Sequence, residues 1–168
     1  MEEHLHRCAP CAQELIALST RKTPTPLARL RLVRRDREGH FEEFREPVAE
    51  LLELALDQTD DLLLRAEVGG HWRRGPAPGV SFLFPEVSAS SAFIALARMD
   101  PGATFPLHRH GGEERSLVLQ GGACEEEGLQ RWRGQTLHKE KGSSHRLIAL
   151  PGPPCIAAIH LAGDLEFC

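Results

Sequence analysis

The stretch Gly102-Ala103-Thr104-Phe105-Pro106-Leu107-His108-Arg109-His110-Gly111-Gly112-Glu113-Glu114, continued by Arg115-Ser116-Leu117-Val118-Leu119-Gln120-Gly121, decides how this chain is read. Successive side chains of a β-strand point to opposite faces, so His108 and His110 share one face if the stretch is extended. A carboxylate arriving from the next strand, Glu113 or Glu114, adds an oxygen to two imidazole nitrogens. That donor set suits zinc, iron, manganese or nickel. Downstream, Gly142-Ser143-Ser144-His145 opens a later apolar run and offers a further imidazole. An isolated His-x-His is most often a pair of exposed histidines. Here the framing glycines, the following Glu and the downstream Gly-x-x-His favour a metal site.

Outward from this stretch, the composition changes near residue 68, from Leu, Ala, Glu and Arg to Gly, Pro, Ser and short apolar runs. Strands are predicted at 80–84, 92–99, 115–119, around 129–133, at 145–150 and at 155–161, with Glu125-Glu126-Glu127-Gly128 as a hairpin tip. Short strands at this spacing, without intervening helices, predict an antiparallel barrel or sandwich.

These residues resemble the cupin family. Its first motif, Gly, five residues, His-x-His, three or four residues, Glu, six residues, Gly, is filled by Gly102, His108, His110, Glu114 and Gly121, which selects Glu114 over Glu113. Its second motif is matched by Gly134, Gly142 and His145, with Glu140 where proline is expected and Ala149 where Asn is frequent. The resemblance spans about residues 71–163. It implies a jelly-roll barrel over 68–168 with a metal held in its mouth by His108, His110, Glu114 and His145.

Toward the N-terminus lies a second constellation, His4-Leu5-His6-Arg7-Cys8-Ala9-Pro10-Cys11. On a helix, His4 and Cys8 are four apart and Cys8 and Cys11 three apart, so all three share one face. Two thiolates and an imidazole are three-quarters of a tetrahedral zinc site. A redox reading of Cys8 and Cys11 lacks the βαβ context it needs, and the bland reading is two reduced surface thiols. A helix over 4–20 should end before Thr23-Pro24-Thr25-Pro26, because each proline pushes its predecessor out of the helical region.

Further on, Phe41, Phe44, Val48, Leu51 and Ala55 follow helical spacing, with the helix expected to begin near Glu46 and Pro47 in its first turn. The stripe fits a helix covering a core better than a partner-binding helix. Residues 21–37 hold seven basic groups (Arg21, Lys22, Arg29, Arg31, Arg34, Arg35, Arg37) against Asp36, whereas residues 38–67 hold ten acidic groups against Arg45 and Arg65. The default for such charge runs is a solvated face. An acidic amphipathic helix is also suited to steer onto a basic, nucleic-acid-binding partner.

His-x-x-x-Cys-x-x-Cys followed by Glu14-Leu15 is similar to the signature of zinc-binding anti-sigma domains. Joined to a C-terminal cupin, the chain resembles ChrR-type anti-sigma factors, and Trp72 and Pro78-Gly79-Val80 resemble the lead-in of their cupins. That resemblance implies a helical domain, residues 1–67, binding a group IV (ECF) sigma factor, and a cupin needed for release under oxidative stress. The family carries a further helix, with one more zinc-ligating His, ahead of this motif. Only Met1, Glu2 and Glu3 precede His4 here, so a shortened domain is expected, its fourth zinc ligand open among His6, His40, water or a second chain.

The expected architecture is α+β: a short helical zinc-binding arm, then a mainly antiparallel cupin β-barrel. Zinc is expected at both sites, with Fe, Mn or Ni as alternatives in the cupin, together with a sigma-factor partner and a homodimer through the cupin. The rival is a cupin metalloenzyme of dioxygenase type, for which Glu113 and His138 are the only further base candidates. Across 168 residues, 20 Lys and Arg against 24 Asp and Glu give a net charge of −4, which argues against direct DNA binding. No apolar run approaches the roughly 20 residues that span a bilayer, and no secretory signal is visible. A cytoplasmic protein with reduced thiols is expected; five cysteines, an odd number, fit that better than a disulfide framework.

Overall fold

Alternation of side chains, not helical period, organises the chain beyond residue 72. The computed structural model describes residues 40–86, 90–126 and 128–168. Its strands are β1 (Arg73–Arg74), β2 (Val80–Leu83), β3 (Phe93–Met99), β4 (Thr104–His110), β5 (Glu114–Gln120), β6 (Gly122–Glu125), β7 (Gln130–Trp132), β8 (Thr136–Lys139), β9 (Ser144–Ala149), β10 (Cys155–Leu161) and β11 (Leu165–Phe167). Among the described residues two helices precede them, α1 (Arg45–Leu52), entered through a 3-10 turn at Glu42–Phe44, and α2 (Leu56–Glu67).

The strands form two antiparallel sheets, one of six strands in the order β1-β2-β3-β10-β5-β8 and one of five in the order β11-β4-β9-β6-β7. The inner faces meet around Val80, Met99, Phe105, Val118, Ala123, Ala149 and Cys155. The expected barrel is therefore two facing sheets, not a closed cylinder of hydrogen-bonded strands, among the described residues.

The six-stranded sheet is covered on both faces. Along β5, Ser116 and Val118 face the other sheet, while Leu117 and Leu119 join Leu83, Ile94, Leu96 and Ile156 beneath the helices. Double burial explains why β3, β5 and β10 read as apolar runs with little polar alternation.

Phe41, Phe44, Val48 and Leu52 close that outer core, each at most 8% exposed. The stripe thus covers a core, as its spacing favoured, but its last two members differ. Leu51 is half-buried and Ala55 exposed, because Glu53 turns left-handed at φ 55° and ends α1 after Leu52. The single helix expected from near Glu46 through Ala55 is instead two helices, the second starting where the Gln58 side chain accepts the Ala55 N–H at 3.0 Å. Arg45 pairs with Asp60 across them at 2.5 Å.

Arg133 fastens this layer to the sheet. Its guanidinium lies 4.8 Å over the Phe44 ring and bonds Glu43 at 2.7 Å. It also donates to the carbonyls of His40, at 2.8 Å, and Leu119.

Strands β1, β6, β8 and β11 went unforeseen. Each is two to four residues long with few branched or aromatic side chains, too short for a period to show. Glu125 ends β6, so it belongs to a strand and not to the hairpin tip.

A candidate metal centre between the two sheets

Strand β4 carries a register shift between Phe105 and His108 where it pairs with β9, at Pro106-Leu107. Proline within a sheet is confined to edges, strand starts and bulges, and the shift resets the alternation. Phe105, His108 and His110 consequently all point inward, at 6%, 1% and 1% exposure. Glu114 opens β5 on the six-stranded sheet, and His145 lies opposite His108 in β9.

These four buried residues present ligand atoms that all lie within 4.8 Å of one another. Three imidazoles come from one sheet and the carboxylate from the other, so the cluster spans the gap between them. The imidazole centroids are 4.6 to 4.9 Å apart, and the Phe105 ring stands edge-on to His108 at 4.9 Å.

The hydrogen bonds settle the tautomers. His108 Nδ1–H donates to the Pro106 carbonyl at 2.8 Å, and that oxygen can only accept. His110 Nδ1–H donates to the Ser143 carbonyl at 3.1 Å. His145 Nδ1–H donates to the Glu125 carboxylate at 2.8 Å. With each proton committed to Nδ1, the Nε2 lone pairs are left to converge. His145 Nε2 is buried with no hydrogen-bond partner, and His110 Nε2 faces Glu114 Oε2 at 3.0 Å, a contact that needs a proton or a cation between the two atoms. Outer bonds that fix the ring and tautomer are the usual support of metal-bound histidine. The donor set therefore fits a divalent metal.

Burial pushes the His108 and His145 imidazoles below their ordinary range, which keeps the neutral, metal-competent form. Burial works to raise the Glu125 carboxyl, but hydrogen bonds from Lys139 and His145 outweigh it and hold the group below its usual range.

The loop that places His110 and His145 depends on Gly142. It has φ 84°, a left-handed conformation that L side chains rarely adopt. From there its N–H reaches the His110 carbonyl at 2.8 Å, while the His110 N–H reaches Ser143 O at 3.0 Å. At the end of the first motif, Gly121 has φ 64°, and a Cβ there would sit 2.8 Å from the carbonyls of Pro153 and Pro154.

Beside the cluster is an apolar cavity of about 60 Å³, walled by Phe82, Met99, Phe105, Val118, Leu147 and Ile159 and reaching His108 and Glu114. Glu113 and His138 point elsewhere. They pair at 3.2 Å on the surface, each side chain more than half exposed. Glu125 and Lys139 were not singled out in the sequence. Glu125 lies among three consecutive glutamates, and only the register of β6 against β9, which sets it opposite Leu147, turns it inward.

His4, His6, Cys8 and Cys11, and the helix expected over 4–20, lie outside the described residues. His40 is exposed, with its carbonyl accepting from Arg133.

Residues 68–162 match the ChrR cupin-like domain family. No curated protein sequence matches the chain. Among solved structures, Rhodobacter sphaeroides SigE in complex with the anti-sigma ChrR matches with TM-score 0.54 at 22% identity, covering 94% of this chain and 83% of that one. An acetylacetone dioxygenase from Acinetobacter johnsonii matches with TM-score 0.50 at 16% identity, over 57% of this chain and 70% of that one. A cupin-like protein of unknown function from Ralstonia eutropha JMP134 matches with TM-score 0.43 at 21% identity over 54% of this chain, which spans only 51% of its length. These likenesses are of fold. Among the described residues, no helix is long and apolar enough to cross a membrane.

Proposed function

The chain belongs to the ChrR cupin-like family, and from that premise we propose that it is a metal-dependent transcription regulator, an anti-sigma factor that sequesters an ECF-type sigma factor and releases it under oxidative stress. The observation that carries the reading is the family match over the strands, preceded in the same chain by His4, Cys8 and Cys11 at zinc-ligand spacing. The structure of Rhodobacter sphaeroides SigE in complex with the anti-sigma ChrR, similar to this chain over 94% of its length, supports the choice of a sigma factor as partner.

In this reading His108, His110, Glu114 and His145 hold one metal, with zinc the first choice and Fe, Mn or Ni the alternatives. Bound there, the metal would supply a charge that joins the two sheets and a Lewis acid facing the cavity. His4, Cys8 and Cys11 hold a second zinc, and oxidation of either thiolate removes a ligand, which makes the site redox-sensitive. The protein acts in the cytoplasm, without contacting DNA itself, and pairs with a second copy through the cupin.

Co-expression with a sigma factor encoded beside it tests the proposal. A stable complex that dissociates on Cys8→Ala or Cys11→Ala is the expected result. Failure to form a complex with both thiols intact and zinc-loaded sinks it. For the metal sites, two equivalents of metal per chain are expected, falling to one in Cys8→Ala and to one in His108→Ala.

A second reading, a cupin metalloenzyme, is favoured by one observation: the apolar cavity opens on His108 and Glu114. The base candidates Glu113 and His138 lie on the surface and leave the cavity without a proton acceptor beyond the ligands themselves. Iron held tightly with oxygen uptake on a small apolar substrate would favour the enzyme, and inert zinc the regulator.

A further inference from the structure

Glu125 occupies a position that the ligand set does not explain. It is 5% exposed, on the five-stranded sheet, and one oxygen, Oε1, accepts from both His145 Nδ1 and Lys139 Nζ. Lys139 comes from the facing sheet, directly opposite Glu114 in the β5–β8 ladder. A buried carboxylate without such partners would cost several kcal/mol, so the arrangement Lys139–Glu125–His145 holds only as a unit. It runs parallel to the cluster itself, since both cross from one sheet to the other.

We infer that Glu125 is a positioning residue of the metal centre: it fixes the ring and tautomer of His145 and strengthens Nε2 as a donor, while Lys139 holds the carboxylate in place from the opposite sheet. The inference rests on the reading that His108, His110, Glu114 and His145 bind a metal. The chemistry is electrostatic. An anionic acceptor at Nδ1–H draws that proton outward and returns electron density to Nε2. A neutral acceptor in the same place orients the ring without that push. Orientation and charge are therefore separable. Glu125→Gln keeps an oxygen at the same reach and removes the charge, whereas Glu125→Ala removes both.

The test is Co(II) binding to the full chain carrying Cys8→Ser and Cys11→Ser, so that no thiolate site competes, read by competition with a chelator and by the visible absorption band of the bound ion. Outer carboxylates of this kind change metal affinity by roughly 10–100-fold. Glu125→Gln is expected to weaken Co(II) binding toward the low end of that range and shift the band, and Glu125→Ala to weaken it further. Circular dichroism of the metal-free Gln variant should match the parent. If both variants bind Co(II) with the parent's affinity and band while His145→Ala does not bind, Glu125 is a spectator and the inference falls. If the parent itself fails to bind Co(II), the metal reading is what fails, and the inference falls with it.

Discussion

Cys155 and Cys168 show how far one residue type can be divided by its surroundings. Cys155 lies 4% exposed between the sheets, where burial pushes its thiol up to about 12. The thiolate is the reactive form, and a raised value keeps Cys155 protonated across the physiological range. Alkylation of the native protein at pH 8 should therefore label Cys168, which is exposed, and spare Cys155 until the fold is lost. Mass spectrometry of the modified sites checks this, and labelling of native Cys155 at the rate of Cys168 would contradict it. The buried cluster of His108, His110, Glu114 and His145 was legible in the sequence because glycines and histidines sit at fixed spacings around turns, and the choice of Glu114 over Glu113 agrees with which of the two is buried. Glu125 was not legible. Its neighbours are also glutamates, and a strand's inward face is set by pairing with a distant segment, here β9.

At the scale of the element, the helical stripe was read correctly as a core-covering face but was carried too far along the chain. Periodicity registers spacing alone, whereas the left-handed Glu53 ends α1 by backbone conformation. The sequence spacing would rank Leu51 above Leu52; the structure reverses them, with Leu52 fully buried. Leu52→Ala should cost about 2–5 kcal/mol in denaturant unfolding, and Leu51→Ala distinctly less. Equal losses would show that the stripe continues as spacing suggested. Strand β4 is the complementary case. Proline disfavours a regular strand interior, and the register shift at Pro106-Leu107 accommodates it while turning both Phe105 and His108 inward.

Across the whole molecule, the family match begins at residue 68, but the physical unit begins earlier. Residues from Phe41 onward pack with the strands, because Leu83, Ile94, Leu96, Leu117, Leu119 and Ile156 need the helices as cover. A chain shortened to 68–168 would bare that face, an apolar surface of the kind that drives association. It should aggregate or elute as an oligomer in size-exclusion chromatography, whereas a chain of 38–168 should retain a cooperative melt. An equally stable, monomeric 68–168 protein would show that the helices are dispensable to the sheets. The two-sheet fold was foreseeable from short strands and glycine turns. Which elements would cover the second face of the six-stranded sheet was not, since apolar runs such as 92–99 read the same whatever covers them.

Such a sheet also gives the molecule an internal gauge. One pleat separates Val118, beside the cavity, from Leu117 and Leu119, which lie under Phe44 and its neighbours. Trp72 rests against that same outer cluster, its indole N–H buried without a partner, and the only other tryptophan, Trp132, sits on the opposite sheet. In a Trp132→Phe protein all indole emission would come from Trp72. A change in that emission when zinc is added, abolished by His108→Ala, would mean that an event on one side of the strand is felt on the other. An unchanged spectrum would mean that the pleat insulates, and that any signal from the metal must leave by another route.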